Sequence, residues 1–191
     1  MSFIFVGLGN PGEEYKDTRH NVGRIILEKV RVACEGSEWK HDKKLNALVS
    51  KGEIDEGKLV LIEPETFMNK SGLSVKPLIT SAKKAEQLVV IYDDLDLPLG
   101  TMKMSFNRGS GGHKGLESII KTLKTEKFIR IRIGISSPLK GGKVKKPDIL
   151  GQLKKPDIEV LNKQSKKIVD ILPLLLTKGV GDTMTEFNKS K

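Results

Sequence analysis

The sequence predicts an α/β fold in which a single-domain, mixed and twisted β-sheet is flanked by helices. Three observations carry this. Residues 3–8, 88–92 and 128–135 are short apolar or β-branched runs of strand length. The first two are apolar almost throughout, as in strands covered on both faces. The segments between the runs place apolar residues at helical spacing, and strands alternating with helices specify layered α/β architecture.

Residues 3–8 end in the glycine-rich stretch GLGNPGEEYKDTRHNVG, where residues 9–21 are predicted to be loop. Val22, Ile25, Ile26, Val30 and Ala33 mark a helix begun by Asn21 and ended near Gly36. Residues 45–51 and 58–62 flank the turn EIDEG and read as a hairpin. The loop PETFMNKSG follows. Leu73, Val75, Leu78, Ile79 and Ala82 then predict one helix, with Pro77 accommodated in its first turns. Residues 88–92 form a strand that empties into an acidic loop, DDLDLPLG, and Met102–Phe106 reads as an edge strand. The loop NRGSGGHKG leads into a helix through Leu116, Ile119, Ile120 and Leu123. In FIRIRIGI, alternation of Ile with Arg predicts a strand with one basic face carrying Arg130 and Arg132. A Lys/Gly/Pro-rich connector over about residues 136–156 is predicted to be flexible and basic, and a helix through Ile158, Leu161, Ile168 and Leu172 follows. With no repeat and no long linker, residues 1–191 read as one domain.

The composition excludes several classes. No run approaches the roughly 20 apolar residues of a membrane helix, and the start MSFIFVGLGN lacks the features of a signal peptide. The one cysteine, Cys34, leaves no internal disulfide and no Cys-rich zinc site, pointing to the cytoplasm. With 34 basic and 24 acidic residues the net charge is +10, which fits either a lysine-rich solvated surface or a polyanionic partner. Only 5% of residues are aromatic, so a stacking platform for single strands is disfavoured against a folded RNA held by its phosphates.

The polar residues of interest lie where loops leave strand ends, the usual place for sites in open α/β sheets. Gly7, Gly9 and Gly12 match a dinucleotide fingerprint, but no helix opens at them, so a nucleotide cofactor is not expected. Ser110 lacks the nucleophile-elbow spacing and Cys34 falls inside a helix. His20 is the best candidate base, and Asp93 could fix its tautomer. Asp93, Asp94 and Asp96 form a solvated turn in the simpler reading and a magnesium site in a less favoured one, and His20 could merely cap the following helix. His41 and His113 have no metal-like spacing.

Four blocks, FVGLGNPGEEYKDTRHNVG, PETFMNKSG, DDLDLPLG and GSGGHKGL, together resemble the bacterial peptidyl-tRNA hydrolases in order and spacing, over nearly the whole chain. The resemblance implies a cytoplasmic, monomeric α/β enzyme without metal or cofactor. Its substrate would be peptidyl-tRNA, recognised at the acceptor stem and 3′ end. The reaction would be hydrolysis of the ester joining a prematurely released peptide to the 3′ ribose, which recycles the tRNA. It further implies that His20 takes a proton from the attacking water, Asp93 holds that histidine in its basic form, and Asn10 reads the blocked amino group. Tyr15, Phe67 and Asn69 match tRNA or peptide contacts, and Met68 an apolar floor, although core filling is the simpler reading of Phe67. Lys103 and Arg132 match or neighbour positions that hold the tRNA 5′ phosphate, and a second family lysine is Ser105 here. Lys114 departs from the family's asparagine: an ammonium donates but cannot accept. That departure puts substrate positioning in doubt and opens a second reading, a non-catalytic RNA-binding relative on the same scaffold.

Overall fold

The computed structural model describes residues 2–55 and 57–189. It begins with strand β1 (Ser2–Gly7), after which 3-10 turns at Glu13–Tyr15 and Arg19–Asn21 lead into helix α1 (Val22–Ala33). Strands β2 (Lys40–Asp42), β3 (Ala47–Ile54) and β4 (Gly57–Pro64) follow; Glu56, in the predicted turn, lies outside the described residues. A 3-10 turn at Met68–Lys70 precedes the short helices α2 (Ser71–Val75) and α3 (Ala82–Ala85). Then come β5 (Leu88–Pro98), β6 (Met102–Phe106), α4 (Lys114–Leu123), β7 (Ile129–Pro138), β8 (Val144–Lys145), α5 (Lys155–Thr177) and α6 (Gly179–Lys189).

The strands form one mixed sheet in the order β2-β3-β4-β1-β5-β7-β6, with β8 on β7. Pairs β1–β4, β1–β5 and β5–β7 are parallel, whereas the hairpin β3–β4 and the edge strand β6 are antiparallel to their neighbours. Alternation along β1 divides the core. Phe3 and Phe5 pack with residues of α1, α5 and α6 on one face, and Ile4 and Val6 with residues of α2 and α4 on the other. The predicted mixed α/β sheet flanked by helices is therefore present. No helix among the described residues is long and apolar enough to cross a membrane.

Four expectations are corrected. The helix predicted through Leu73 to Ala82 is broken: α2 stops at Val75, a 3-10 turn holds Pro77, and Ile79 leaves helical geometry. Proline has no N–H to donate, and its ring crowds the carbonyl four residues back. The acidic segment predicted as loop continues β5 as far as Pro98, because β7 runs beside it; Pro98 still pairs with Ser136 after a register shift beyond Asp94. The predicted basic face of β7 is present but only partly open: Arg132 lines a cleft, whereas Arg130 is covered. Arg130 is 1% exposed, lies 4.5 Å over the Phe128 ring, and donates from Nη1 to the Gly109 carbonyl. Strand alternation fixes the face on which a side chain lies, but not whether a loop covers it. Finally, Asn21 precedes α1 without capping it by its side chain, whose two polar atoms bond the backbone of Asn10 instead. Strands β2 and β8 and helix α6 have no counterpart in the sequence reading.

Candidate active site

The glycines of the first loop act by closeness more than by conformation. Gly12 alone among Gly7, Gly9 and Gly12 has a positive φ, 109°. A side chain on Gly7 would meet the Gly23 carbonyl at 2.6 Å, so α1 crosses β1 where both chains are bare. That crossing brings the turn Arg19–Asn21 over the end of β5. It also removes any helix N-terminus from the glycines, since α1 opens only at Val22.

His20 and Asp93 meet at this crossing. His20 is 7% and Asp93 3% exposed, and His20 Nδ1 lies 2.8 Å from Asp93 Oδ1. His113 Nε2 approaches the same oxygen at 2.9 Å. His113 is the N-cap of α4, and its Nδ1 accepts from the backbone N–H groups of Gly115 and Leu116. The two imidazoles lie 5.1 Å apart, and Tyr92 packs edge-on against His113 at 5.0 Å. Burial pushes the Asp93 carboxyl up, but the charge and hydrogen bond of His113, joined by those of His20, outweigh it and bring it down to about 2. Burial, reinforced by Asp94, pushes the Tyr92 hydroxyl up to about 12, so it stays protonated.

His20, Asp93 and His113 are the one His/Cys/Asp/Glu cluster among the described residues with potential ligand atoms all within 4.8 Å. Its nitrogens point at one carboxylate oxygen at hydrogen-bond lengths, and His113 Nδ1 is occupied by amides. The set is built as a relay rather than as a divergent ligand shell.

These residues open on a cleft of about 540 Å³ whose walls include Asp94, Arg108, His113, Lys114, Arg132 and Lys146. The second predicted loop stands beside it. Met68 is buried, and a Cβ on Gly115 would meet Met68 Sδ at 2.6 Å and His113 Cε1 at 3.1 Å, so the Met68–Lys70 turn packs on the start of α4. Asn10 joins the two loops: its Oδ1 accepts from the Met68 N–H at 2.8 Å, and Arg24 Nη1 bonds its carbonyl. The carboxamide oxygen is therefore committed, leaving the Nδ2 donor, which has no hydrogen-bond partner among the described residues. Asn69 is exposed, Tyr15 is half-buried, and neither lines the cleft. Phe67 is 57% exposed, which overturns its reading as core filler.

The predicted phosphate-binding cations are placed but partly occupied. Arg132 Nε donates to Asp94 at 2.7 Å, and Lys103 Nζ reaches the Asn188 carbonyl of α6 at 3.4 Å. Lys114 is the first residue of α4 and pairs with Glu117 at 3.0 Å.

Sequence reasoning missed two residues. His113 ends a loop that the sequence marks as polar but gives no role; its place after a glycine pair and before a helix is the available signal. Arg19 was not considered. It donates to the Gln152 carbonyl at 2.9 Å and pairs with Asp157 at 3.4 Å. Beside it, the Arg19 and His20 N–H groups bond the carbonyls of Gly151 and Ile149. The end of the connector is thereby fastened to the histidine loop.

Comparison with known proteins agrees with this geometry. The family model described as peptidyl-tRNA hydrolase matches residues 4–191. The chain is 38% identical over 188 residues to the peptidyl-tRNA hydrolase of Carboxydothermus hydrogenoformans, covering 98% of each. It is 37% identical over 186 residues to that of Syntrophomonas wolfei, covering 97% of this chain and 99% of the relative. The crystal structure of peptidyl-tRNA hydrolase from Acinetobacter baumannii superposes with a TM-score of 0.86 at 30% identity, over 99% of this chain and 95% of the other.

Proposed function

Because this chain belongs to the peptidyl-tRNA hydrolase family and is a carboxylic ester hydrolase, we propose that it cleaves peptidyl-tRNA by a water molecule that His20 activates. The observation that carries the mechanism is the buried His20–Asp93 contact of 2.8 Å at the wall of a cleft. With Nδ1 turned to an ionised carboxylate, His20 presents Nε2 as the proton acceptor. Nε2 takes a proton from water, and the oxygen attacks the ester carbonyl. When the tetrahedral adduct collapses, the C–O bond to the ribose breaks, and His20 returns its proton to the departing ribose oxygen. No protein nucleophile is required.

The remaining roles follow from chemistry. Asn10 Nδ2 is a donor suited to the carbonyl groups of a peptide, which favours N-blocked substrates. Phe67 and Tyr15 offer aromatic surface, and Asn69 polar contacts, to the terminal nucleoside or the peptide, with Met68 beneath them as apolar floor. Lys103, Lys114 and Arg132 would face phosphates of the acceptor stem. The lone Cys34 fits a reducing cytoplasm, and the resemblance of the sequence blocks suggests a monomer.

The test is release of tRNA from N-acetylaminoacyl-tRNA and from the unblocked ester. The wild-type chain should hydrolyse the first and barely touch the second. His20→Ala should lower the rate by roughly 10²- to 10⁴-fold, the usual worth of a placed base. Salt-dependent tRNA binding without release by the wild-type chain would instead identify a non-catalytic relative.

A further inference from the structure

We infer that His113 is a positioning residue of this esterase: it orients Asp93 through a fixed tautomer and thereby sets the tautomer of His20, an inference that rests on the hydrolytic reading of the site. The argument begins at the start of α4, where amide N–H groups have no partner within the helix. Those of Gly115 and Leu116 point at His113 Nδ1, at 3.2 and 3.4 Å. An N–H only donates, so Nδ1 must hold its lone pair, and the proton of the neutral ring resides on Nε2. That nitrogen lies 2.9 Å from Asp93 Oδ1. In the opposite tautomer, Nδ1–H would confront two other N–H groups, and the Nε2 lone pair would confront a carboxylate. Both contacts would be repulsive.

The helix start therefore decides the proton position on one ring, and the carboxylate passes that decision to the other. Asp93 Oδ1 accepts from His113 Nε2–H and from His20 Nδ1, 2.8 Å away, so the basic nitrogen of His20 is Nε2. The ring of His113 is held in place as well. Tyr92 lies edge-on at 5.0 Å, while Gly111 and Gly112, with φ of 60° and 83°, turn the chain into the cap. Protonating His113 at Nδ1 would cost α4 its cap, so this second histidine is unsuited to proton transfer. It acts on the substrate only through Asp93 and His20.

Two measurements on the full chain test this. Ring nitrogen NMR of ¹⁵N-histidine-labelled wild-type protein, at a pH where the rings are neutral, should show His113 protonated at Nε2 and His20 protonated at Nδ1. The second is turnover of N-acetylaminoacyl-tRNA by His113→Asn. Asparagine is a strong N-cap residue, so α4 keeps an acceptor, but its side chain is too short to reach Asp93. Melting should fall by several degrees, because buried Asp93 loses one of its two partners. The kcat should fall by about 10- to 100-fold, the usual effect of losing a group that orients a working ligand, with KM little changed, and the single-tautomer pattern of His20 should be lost. Finding His113 protonated at Nδ1, or His113→Asn turning over at the wild-type rate, would overturn the inference. If His113→Asn fails to fold, the tautomer spectrum of the wild-type chain decides alone. Absence of release by the wild-type chain would fault the esterase reading instead, and the spectrum would still judge the relay.

Discussion

Asp93 couples catalysis to stability. Its carboxyl is 3% exposed, yet it is held ionised, down from 3.8 to about 2. A folded-state value below the unfolded one stabilises the protein above about pH 4, and the contribution disappears as pH falls through 2. The shift corresponds to about 2 kcal/mol. Urea midpoints measured from pH 6 down to 2 should therefore fall for the wild-type chain, and its advantage over Asp93→Asn should vanish near pH 2. An advantage that persisted at that pH would mean the carboxylate is not held by the two imidazoles. Lys114 belongs to the same scale. Its ammonium stands at the cleft wall but is 68% exposed and already turned to Glu117. Lys114→Ala should raise KM for peptidyl-tRNA a few-fold and reduce the slope of log KM against log salt by up to about 0.9, the worth of one phosphate contact. A KM with unaltered salt dependence would show that Glu117 keeps the ammonium when substrate is bound.

Between residues and molecule stand the junctions of elements, and the one between the histidine loop and the start of α5 has a catalytic consequence. Asp157 both receives the Lys154 N–H at the start of α5 and pairs with Arg19, while Leu153 N–H bonds the Asp17 carbonyl. His20 is thus suspended between β5 and the connector. Arg19→Met removes one hydrogen bond to a carbonyl and one partly exposed ion pair, each worth about 1 kcal/mol or less. It should lower kcat several-fold through a looser His20 while melting moves by under about 3 °C; an unchanged kcat would show that the backbone bonds suffice. The same junction shows what a sequence reveals and what it hides. β1, α1, the β3–β4 hairpin, β6, α4, β7 and α5 were legible because one period of apolar residues specifies each. The His20–Asp93 pair was legible because each residue follows an apolar strand run, where the sites of α/β sheets form. The Arg19–Asp157 contact and the role of His113 were not, because each joins loops far apart in sequence through groups without periodicity. Helix α6 escaped because Gly179 and Gly181 dilute its helical signal, and the burial of Arg130 because a loop, not the strand, covers it.

At the scale of the whole molecule, a net charge of +10 meets a polyanionic substrate, yet much of the cationic wall of the cleft is already neutralised. Arg132 is paired with Asp94, Lys114 with Glu117, and Lys146 with Asp96 at 2.7 Å. The last pair draws the connector toward the end of β5, across the cleft that both residues line. The Lys114 and Lys146 pairs are exposed and worth only about 0–1 kcal/mol, so a phosphate can displace those carboxylates at small cost, whereas the Arg132–Asp94 pair is mostly shielded from solvent. What the pairing changes is the reference state: each cation must leave a carboxylate before it binds a phosphate, which blunts both affinity and salt dependence. The carboxylates then act as competitors of the tRNA backbone and oppose retention of any RNA that lacks a cleavable ester. Asp96→Asn removes one competitor without touching His20 or Asp93. It should lower KM for peptidyl-tRNA about two- to five-fold, steepen the dependence of kcat/KM on salt, and tighten inhibition by deacylated tRNA in parallel. Inhibition that stayed constant while KM fell would place the Lys146 contact on the peptide rather than on the tRNA, because only the peptide distinguishes the two ligands.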